Sequence, residues 1–302
     1  MASLKQLKDR IVSVKSTKKI TQAMKVVSAS KLKKAKKAFE SNMEYVEQMN
    51  ILARNVFDNI SDKDLFPLIF GRAESEPKGT LIIIFGSNKG LCGAFNSGLV
   101  RHLRNGLSSI SGGKKNVICI GKKVYDALKY NSSMSVELFK ENNDLTVDDV
   151  RELTKSLIER FYLEEFDSCV VFYNEFVSTM TQKSSSKNLI PLWKSEDQEE
   201  TKVEGKKDQK NEEEKILFEN EPEIEEMANE LAEQYIIANI FSTLLETASG
   251  EQGARMTAMD SANRNAEKII KKITTVYNRT RQAAVTNELI EIISGMEAIS
   301  KN

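Results

Sequence analysis

Helix breakers are scarce in this chain: 4 prolines and 14 glycines in 302 residues. So few leave room for very long helices. Histidine occurs once, as His102, which excludes a multi-histidine metal cluster and any mechanism that needs two imidazoles. The three cysteines, Cys92, Cys119 and Cys169, are odd in number and lack C-x-x-C spacing. Neither a disulfide framework nor a zinc site is expected from them, and a reducing compartment fits. No stretch approaches the ~20 apolar residues needed to span a bilayer; the longest strongly apolar run is Leu81 to Phe85. The first residues enter an amphipathic pattern at once, with no apolar signal core. Excess charge is missing too, since 44 Lys plus Arg balance 44 Asp plus Glu. That argues against a globally basic nucleic-acid binder and against a globally acidic disordered chain. Aromatics make up 7% and hydrophobic residues 40%, enough for a core in one large domain or two smaller ones.

What is present is a heptad repeat at both ends. From Leu4 through Leu7, Ile11 and Val14 to Leu32, Phe39, Val46 and Ile60, the 3,4 spacing never breaks. This is the signature of helices that supercoil. Between Lys18 and Ser28 the seam turns polar, and the apolar Ile20, Met24 and Val27 sit one position earlier. The stretch is therefore expected to face something other than its partner helix. After Pro222 a second frame runs from Ile224 through Leu231, Phe241, Met259, Ala266 and Ile273 to Ile290. Its polar breaks cluster at Gln252–Arg255 and Thr280–Asn287. At ~1.5 Å per residue the two helices span about 85 and 105 Å, far beyond a small domain of about 30 Å. The simplest expectation is that they wind round each other as a projecting rod, with alanine-rich seam positions allowing close approach.

The middle alternates differently. Thr80–Phe85, Val117–Ile120 and Ser168–Tyr173 read as buried strands, Val136–Phe139 as a weaker one, and Leu189–Trp193 as an edge strand. Helical patterns through Leu99–Leu107, Val124–Leu128 and Val147–Phe161 lie between them. This predicts a small, mainly parallel α/β domain. From Glu196 to Glu226 the pattern dissolves into 14 acidic residues and 5 lysines, read as a solvated loop. Residues 1 to 40 are the opposite, with 11 lysines and Arg10 against Asp9 and Glu40. The expected division is residues 1–60 and 222–302 as coiled-coil helices, 61–195 as the α/β domain and 196–221 as an acidic insertion.

Candidate sites are few. Gly86-Ser87-Asn88-Lys89-Gly90-Leu91-Cys92-Gly93 follows a strand and opens a helix, where backbone amides can bind an anion. Its spacing matches neither phosphate fingerprint. A plain tight turn is the leading reading, with an anion or partner contact as the alternative. Lys31, Lys33, Lys34, Lys36 and Lys37 have no interleaved aromatics before Phe39. They suit an acidic protein surface better than nucleic acid. No cysteine or histidine stands in a nucleophile–base constellation, and cysteines in strand patterns are usually inert. Glu288 and Glu291 are three apart on a helix, which ordinarily means solvated, yet they flank a polar break in the seam.

The end motifs carry a resemblance. Ile11-x-Ser13-Val14-x-x-Thr17-x-Lys19-Ile20-Thr21-x-Ala23-Met24-x-x-Val27-x-x-Ser30-Lys31 resembles the N-terminal helix of the gamma subunit of F-type ATP synthases. Glu251-Gln252-x-Ala254-Arg255-Met256-x-Ala258-Met259 resembles its C-terminal helix. So does Tyr277-Asn278-x-x-Arg281-Gln282-Ala283-x-Val285-Thr286-x-Glu288-Leu289-x-Glu291-Ile292-x-Ser294-Gly295. Gly90-Leu91-Cys92-Gly93-x-x-Asn96 resembles the family's central turn. The order is right and nearly the whole chain is covered. Met296 replaces the usual alanine after Gly295. Gly250 and Gly253 replace small residues beside the Glu-Gln motif, which is expected to loosen the helix there, at ~1 kcal/mol per glycine relative to alanine. The cysteine pair of the chloroplast type is absent, so thiol regulation is not expected. The start directly at the motif, without a transit peptide, points to a bacterial protein.

The resemblance implies a fold of mixed α+β and α/β character: a long antiparallel coiled coil of the terminal helices plus a small Rossmann-like α/β domain. It implies a rotor shaft that turns inside a ring of alpha and beta subunits and binds the epsilon subunit and the c-ring. Met24, Lys25, Arg281, Gln282, Thr286, Glu288 and Glu291 are the expected rotor–stator contacts. No catalytic residue, cofactor or metal is expected, no nucleic acid, and contact with the membrane only through the c-ring. The implied place is the cytoplasmic side of a bacterial inner membrane. The rivals are a passive coiled-coil adaptor and an enzyme built on the α/β domain. The first needs no polar breaks at matching motifs, and the second needs a phosphate fingerprint with polar residues on strand ends.

Overall fold

The computed structural model describes residues 3–72, 78–107, 114–130, 134–140, 145–193 and 224–300. The acidic insertion expected at 196–221 lies outside the described residues. The described chain runs α1 (Leu4–Phe57), a short 3-10 turn (Lys63–Leu65), α2 (Pro67–Phe70), β1 (Gly79–Phe85), α3 (Phe95–Gly106), β2 (Lys114–Ile120), α4 (Lys122–Leu128), β3 (Ser135–Leu138), α5 (Val147–Tyr162), β4 (Ser168–Phe176), β5 (Gln182–Ile190) and α6 (Ile224–Ser300). It forms two compact units. One joins residues 1–31 to 255–302, and the other is residues 32–254.

Along α1 the heptad frame holds residue by residue. From Ser3 to Leu52 every seam position is buried or half-buried, and every other position is exposed except Met24, which is half-buried. Strict 3.5-residue periodicity keeps one stripe inward over that length. On α6 the frame slips. Beyond Ala266 the inward positions are Ile270, Ile273, Thr274, Tyr277, Thr280 and Ala284, while Ile269, Val276 and Ala283 are exposed. A straight α-helix at 3.6 residues per turn drifts against a seven-residue repeat, and here the drift wins. The glycines expected to loosen α6 do not interrupt it, since the helix is continuous from Ile224 to Ser300.

The second unit is built on a five-stranded sheet in the order β3-β2-β1-β4-β5. The pairs β1/β2, β1/β4 and β2/β3 are parallel, and β4/β5 is antiparallel. Alternation in β1 splits the core. Leu81, Ile83 and Phe85 face a cluster with Ile118, Val171, Leu157 and Phe161, closed by Ile236, Ile237 and Ile240 of α6. Ile82 and Ile84 face Leu99 and Leu103 of α3 and Val124 and Leu128 of α4. Full burial of each such side chain contributes ~1.5–3 kcal/mol. A capping box starts α5: Thr146 Oγ1 accepts the Asp149 N–H, and Asp149 Oδ2 accepts the Thr146 N–H at 2.8 Å.

The edge strand differs from its sequence reading. It occupies Gln182–Ile190 rather than Leu189–Trp193, and Pro191, which lacks an amide hydrogen, follows its last residue. Its first seven residues, Gln182 to Asn188, are polar and carry no apolar alternation. Backbone pairing with β4 makes them a strand.

Candidate functional site

In the first unit α1 and α6 are joined by polar side chains. Lys18 Nζ meets Glu267 Oε1 at 2.7 Å, and Lys25 Nζ meets Asp260 Oδ1 at 2.5 Å. Between them Asn263 Nδ2 donates to Gln22 Oε1 at 3.0 Å and to the Lys18 carbonyl at 3.3 Å. The two residue numbers in each side-chain pair add to 285, so the helices are antiparallel and in constant register. Lys25, and behind it Arg264, holds the Asp260 carboxyl below the usual carboxylate range. Lys18 does the same for Glu267. Solvent-screened pairs of this kind set register more than they add stability.

The sequence reading missed Asp260, Asn263 and Glu267 as partners. The signal was there: Lys18 and Lys25 are seven apart on the seam, and Asp260 and Glu267 are seven apart on the other helix. Opposite charges at matching heptad spacing can pair across a seam, and the observed partners fix the antiparallel sense.

Carried onward, that register sets Leu4 opposite Arg281. Past this point α6 runs out of partner, and every residue from Val285 to Met296 is exposed. Leu289, Ile290, Ile292 and Ile293 are each more than half exposed. On α1 the apolar Ile20 (57%) and Val27 (56%) are exposed, while the polar Thr21 (8%) and Ser28 (2%) are buried. The stretch, expected to face something other than its partner helix, instead meets α6 through its polar positions Lys18, Gln22 and Lys25, and it is the apolar Ile20 and Val27 that are left exposed.

The seven expected contact residues fall into two groups. Met24 and Lys25 are half-buried on α1, with Lys25 engaged by Asp260. Arg281, Gln282, Thr286, Glu288 and Glu291 are exposed on α6. Thr286 Oγ1 donates to the Gln282 carbonyl at 2.9 Å. Arg281 is 21 residues beyond Asp260 on α6, about 30 Å along the axis. The two groups therefore stand at two heights of the helix pair.

The glycine-rich turn after β1 spends its polar groups internally. The Ser87 N–H donates to Asn96 Oδ1 at 3.0 Å, and Asn96 Nδ2 donates to Ser87 Oγ at 2.7 Å. Ser87 Oγ donates to the Lys89 carbonyl at 2.8 Å, and Gly86 N–H to the Ile120 carbonyl at 2.7 Å. A Cβ at Gly121 would stand 2.6 Å from the Gly86 backbone, so this glycine lets two strand-to-helix turns touch. The geometry favours the structural-turn reading over an anion cradle. The thiols of Cys92, Cys119 and Cys169 are free and buried. Burial, with Glu137 adding to it, pushes Cys119 up to about 12, which keeps it protonated.

Comparison with known proteins completes the site. A family model described as ATP synthase matches residues 3–299. The ATP synthase gamma chain of Pelagibacter ubique is 40% identical, with 99% of this chain and 100% of that one covered. The gamma chain of Roseobacter denitrificans is 39% identical with the same coverage. A chain of the Euglena gracilis mitochondrial ATP synthase, from an OSCP/F1/c-ring structure, superposes with TM-score 0.64 at 19% identity, covering 98% of this chain and 94% of that one. A chain of the Tetrahymena thermophila mitochondrial ATP synthase central stalk/c-ring gives 0.56 at 22% identity, covering 80% and 99%. These structures share the fold, and the full-length bacterial relatives carry the family. Matched from end to end by the family model and by these full-length relatives, the chain belongs to the ATP synthase gamma chain family.

Proposed function

We propose that this chain is the central rotor shaft of an F-type ATP synthase, turning inside a ring of alpha and beta subunits. The observation that carries the proposal is the inside-out character of the helix pair. Between Lys18 and Ser28 polar residues occupy the seam while Ile20 and Val27 are exposed, and every residue from Val285 to Met296 on α6 is exposed. Exposed apolar surface of this extent marks a surface made for a partner. Proton flow would turn the c-ring and the shaft with it, and the asymmetric pair would press each beta subunit through its states in turn. The chain needs no active site for this, since the nucleotide sites would belong to the ring. Residues 61–195 would bind the epsilon subunit and the c-ring. None of the helices among the described residues is long and apolar enough to cross a membrane. The complex would hold the chain peripherally, on the cytoplasmic side of a bacterial inner membrane.

Met24 and Lys25 at one height, and Arg281, Gln282, Thr286, Glu288 and Glu291 at the other, would touch the ring. These contacts must break on each turn, so no single one is strong. A net gain of ~1.5–3 kcal/mol for a hydrogen bond to a charged group is the right scale. Arg281→Ala combined with Gln282→Ala should lower turnover or proton pumping in the assembled enzyme while assembly survives. Wild-type rates and pumping in that double variant would remove the assignment. Calorimetry of the isolated chain with ATP should give no binding, and tight binding would reopen the enzyme reading.

A further inference from the structure

Glu246, Gly250 and Gly253 occur at i, i+4 and i+7 on α6 and so share one helix face. That face rests on the β4–β5 hairpin. Glu246 Oε1 accepts the backbone N–H of Phe176, the last residue of β4, at 2.9 Å. A Cβ at Gly250 would stand 3.3 Å from the Phe95 ring and 3.5 Å from Gln182 Cγ. One at Gly253 would stand 3.1 Å from the Thr179 carbonyl oxygen, in the hairpin turn. The turn is itself braced: Ser178 and Thr181 exchange backbone hydrogen bonds, and Gln182 Nε2 donates to the carbonyls of Ser178 and Thr179.

Glycine disfavours a helix interior. Two glycines three residues apart in a helix that must stay stiff need a reason, and close backbone approach supplies one. Further down, α6 is already held by Ile236, Ile237 and Ile240 in the apolar core. Apolar burial is non-directional. A hydrogen bond to one backbone amide fixes both the height and the rotation of the helix against the hairpin.

We propose that this face is a latch, with Glu246 as the positioning residue and the two glycines giving the approach, through which torque on α6 passes into the sheet domain at the β4–β5 hairpin. The inference rests on the rotor reading above. Lys187 of β5, whose Nζ lies 5.4 Å from the centre of the Tyr173 ring, attracts the Glu246 carboxylate.

The test uses the full chain, free and assembled with its catalytic ring and membrane sector in vesicles. Glu246→Ala leaves the Phe176 amide without its acceptor, so its hydrogen exchange in the free chain should quicken by about tenfold. In the assembled enzyme the same variant should lower protons pumped per ATP hydrolysed. Glu246→Gln keeps a carbonyl oxygen at the same place and should restore both. Gly253→Ala raises helix propensity yet should also lower the pumping ratio, because its methyl group pushes the hairpin away. A faster-exchanging variant with an unchanged pumping ratio would mean a merely structural contact and would overturn the proposal. So would unchanged exchange in Glu246→Ala. Should that variant fail to fold, Glu246→Gln and Gly253→Ala carry the same comparison. Failure of the wild-type chain to join a catalytic ring would sink the rotor reading and the latch with it, whereas a coupled wild-type enzyme with an unchanged pumping ratio in Glu246→Ala would sink the latch alone.

Discussion

The two units bury opposite things. In the unit of residues 1–31 and 255–302 the buried residues are Thr21, Ser28, Arg255, Met259 and Ala266, among those described. In the unit of residues 32–254, β1 buries seven consecutive residues, and apolar clusters lie on both sheet faces. The sheet unit is thus stabilised by its own interior. The helix pair is put in register by polar contacts and leaves many apolar side chains, Ile20, Val27, Leu289 and Ile293 among them, exposed. A region that must fold unaided needs a core, and a region built to be gripped needs an apolar exterior. The contrast separates residues whose loss should cost stability from residues whose loss should cost coupling.

The largest effect should come from the sheet unit. Phe161 is fully buried, packs against Phe166, and carries the Arg72 guanidinium 4.7 Å from its ring centre. Phe161→Ala should cost ~3–5 kcal/mol in denaturant unfolding. Ile292→Ala, on the exposed end of α6, should change the free chain by no more than ~0.5 kcal/mol. Comparable costs at the two positions would break the contrast.

A second, smaller loss should follow at a backbone contact. Gly121 has φ of 122°, and a Cβ there would meet the Gly86 backbone at 2.6 Å. Gly121→Ala should cost at least ~1–3 kcal/mol in the same titration. A neutral result would mean that the two turns separate freely.

The pH response should differ between the units. Asp260 and Glu267 have their carboxyl pKa lowered, chiefly by hydrogen bonds from Lys25 and Lys18 respectively. A carboxylate lowered in the folded state contributes above its ordinary value, ~4, and loses that contribution as pH falls through the folded one. The ends of α1 and α6 should therefore loosen first on acidification, seen as faster amide exchange in residues 4–31 while β1 stays protected. Simultaneous loss in both units would contradict the assignment of register to these pairs. Asp149, held down to about 2 by Lys140 and then by Thr146, should keep the start of α5 intact to lower pH.

The smallest expected effect is at the acidic insertion. Its sequence is dominated by charged residues and carries few apolar ones. Deleting Glu196 to Ile216 should leave the thermal midpoint of the sheet unit unchanged and alter only the ATP hydrolysis rate of the assembled enzyme. That change should shrink at high salt, where the Debye length falls from ~8 Å to ~3 Å. Loss of c-ring attachment would instead make the segment a structural foot.

Much of this architecture was legible in the residues, and the failures have causes. The seam of α1 reads correctly from Leu4 to Met49 because a 3.5-residue repeat is a strong local signal. On α6 the same rule fails after Ala266, where helix geometry drifts away from the repeat. Strand β1 was plain from Leu81-Ile82-Ile83-Ile84-Phe85, since a doubly covered strand is apolar on both sides. Strand β5 was missed because Lys183-Ser184-Ser185-Ser186-Lys187 is a strand only by pairing with β4. Gly250 and Gly253 read as weakness because propensity is local. Their reason is the approach of a hairpin some 70 residues earlier in the chain.

The central claim is that the helix pair turns as a shaft inside a catalytic ring, and rotation tests it most directly. The three native thiols are buried. Tyr130, 88% exposed on the sheet unit, can therefore be replaced by cysteine and labelled selectively with a visible probe. In a complex of this chain with its alpha and beta subunits fixed to a surface, ATP should drive the probe round continuously in one direction. A ring that hydrolyses ATP at full rate with the probe bound and stationary would contradict the account.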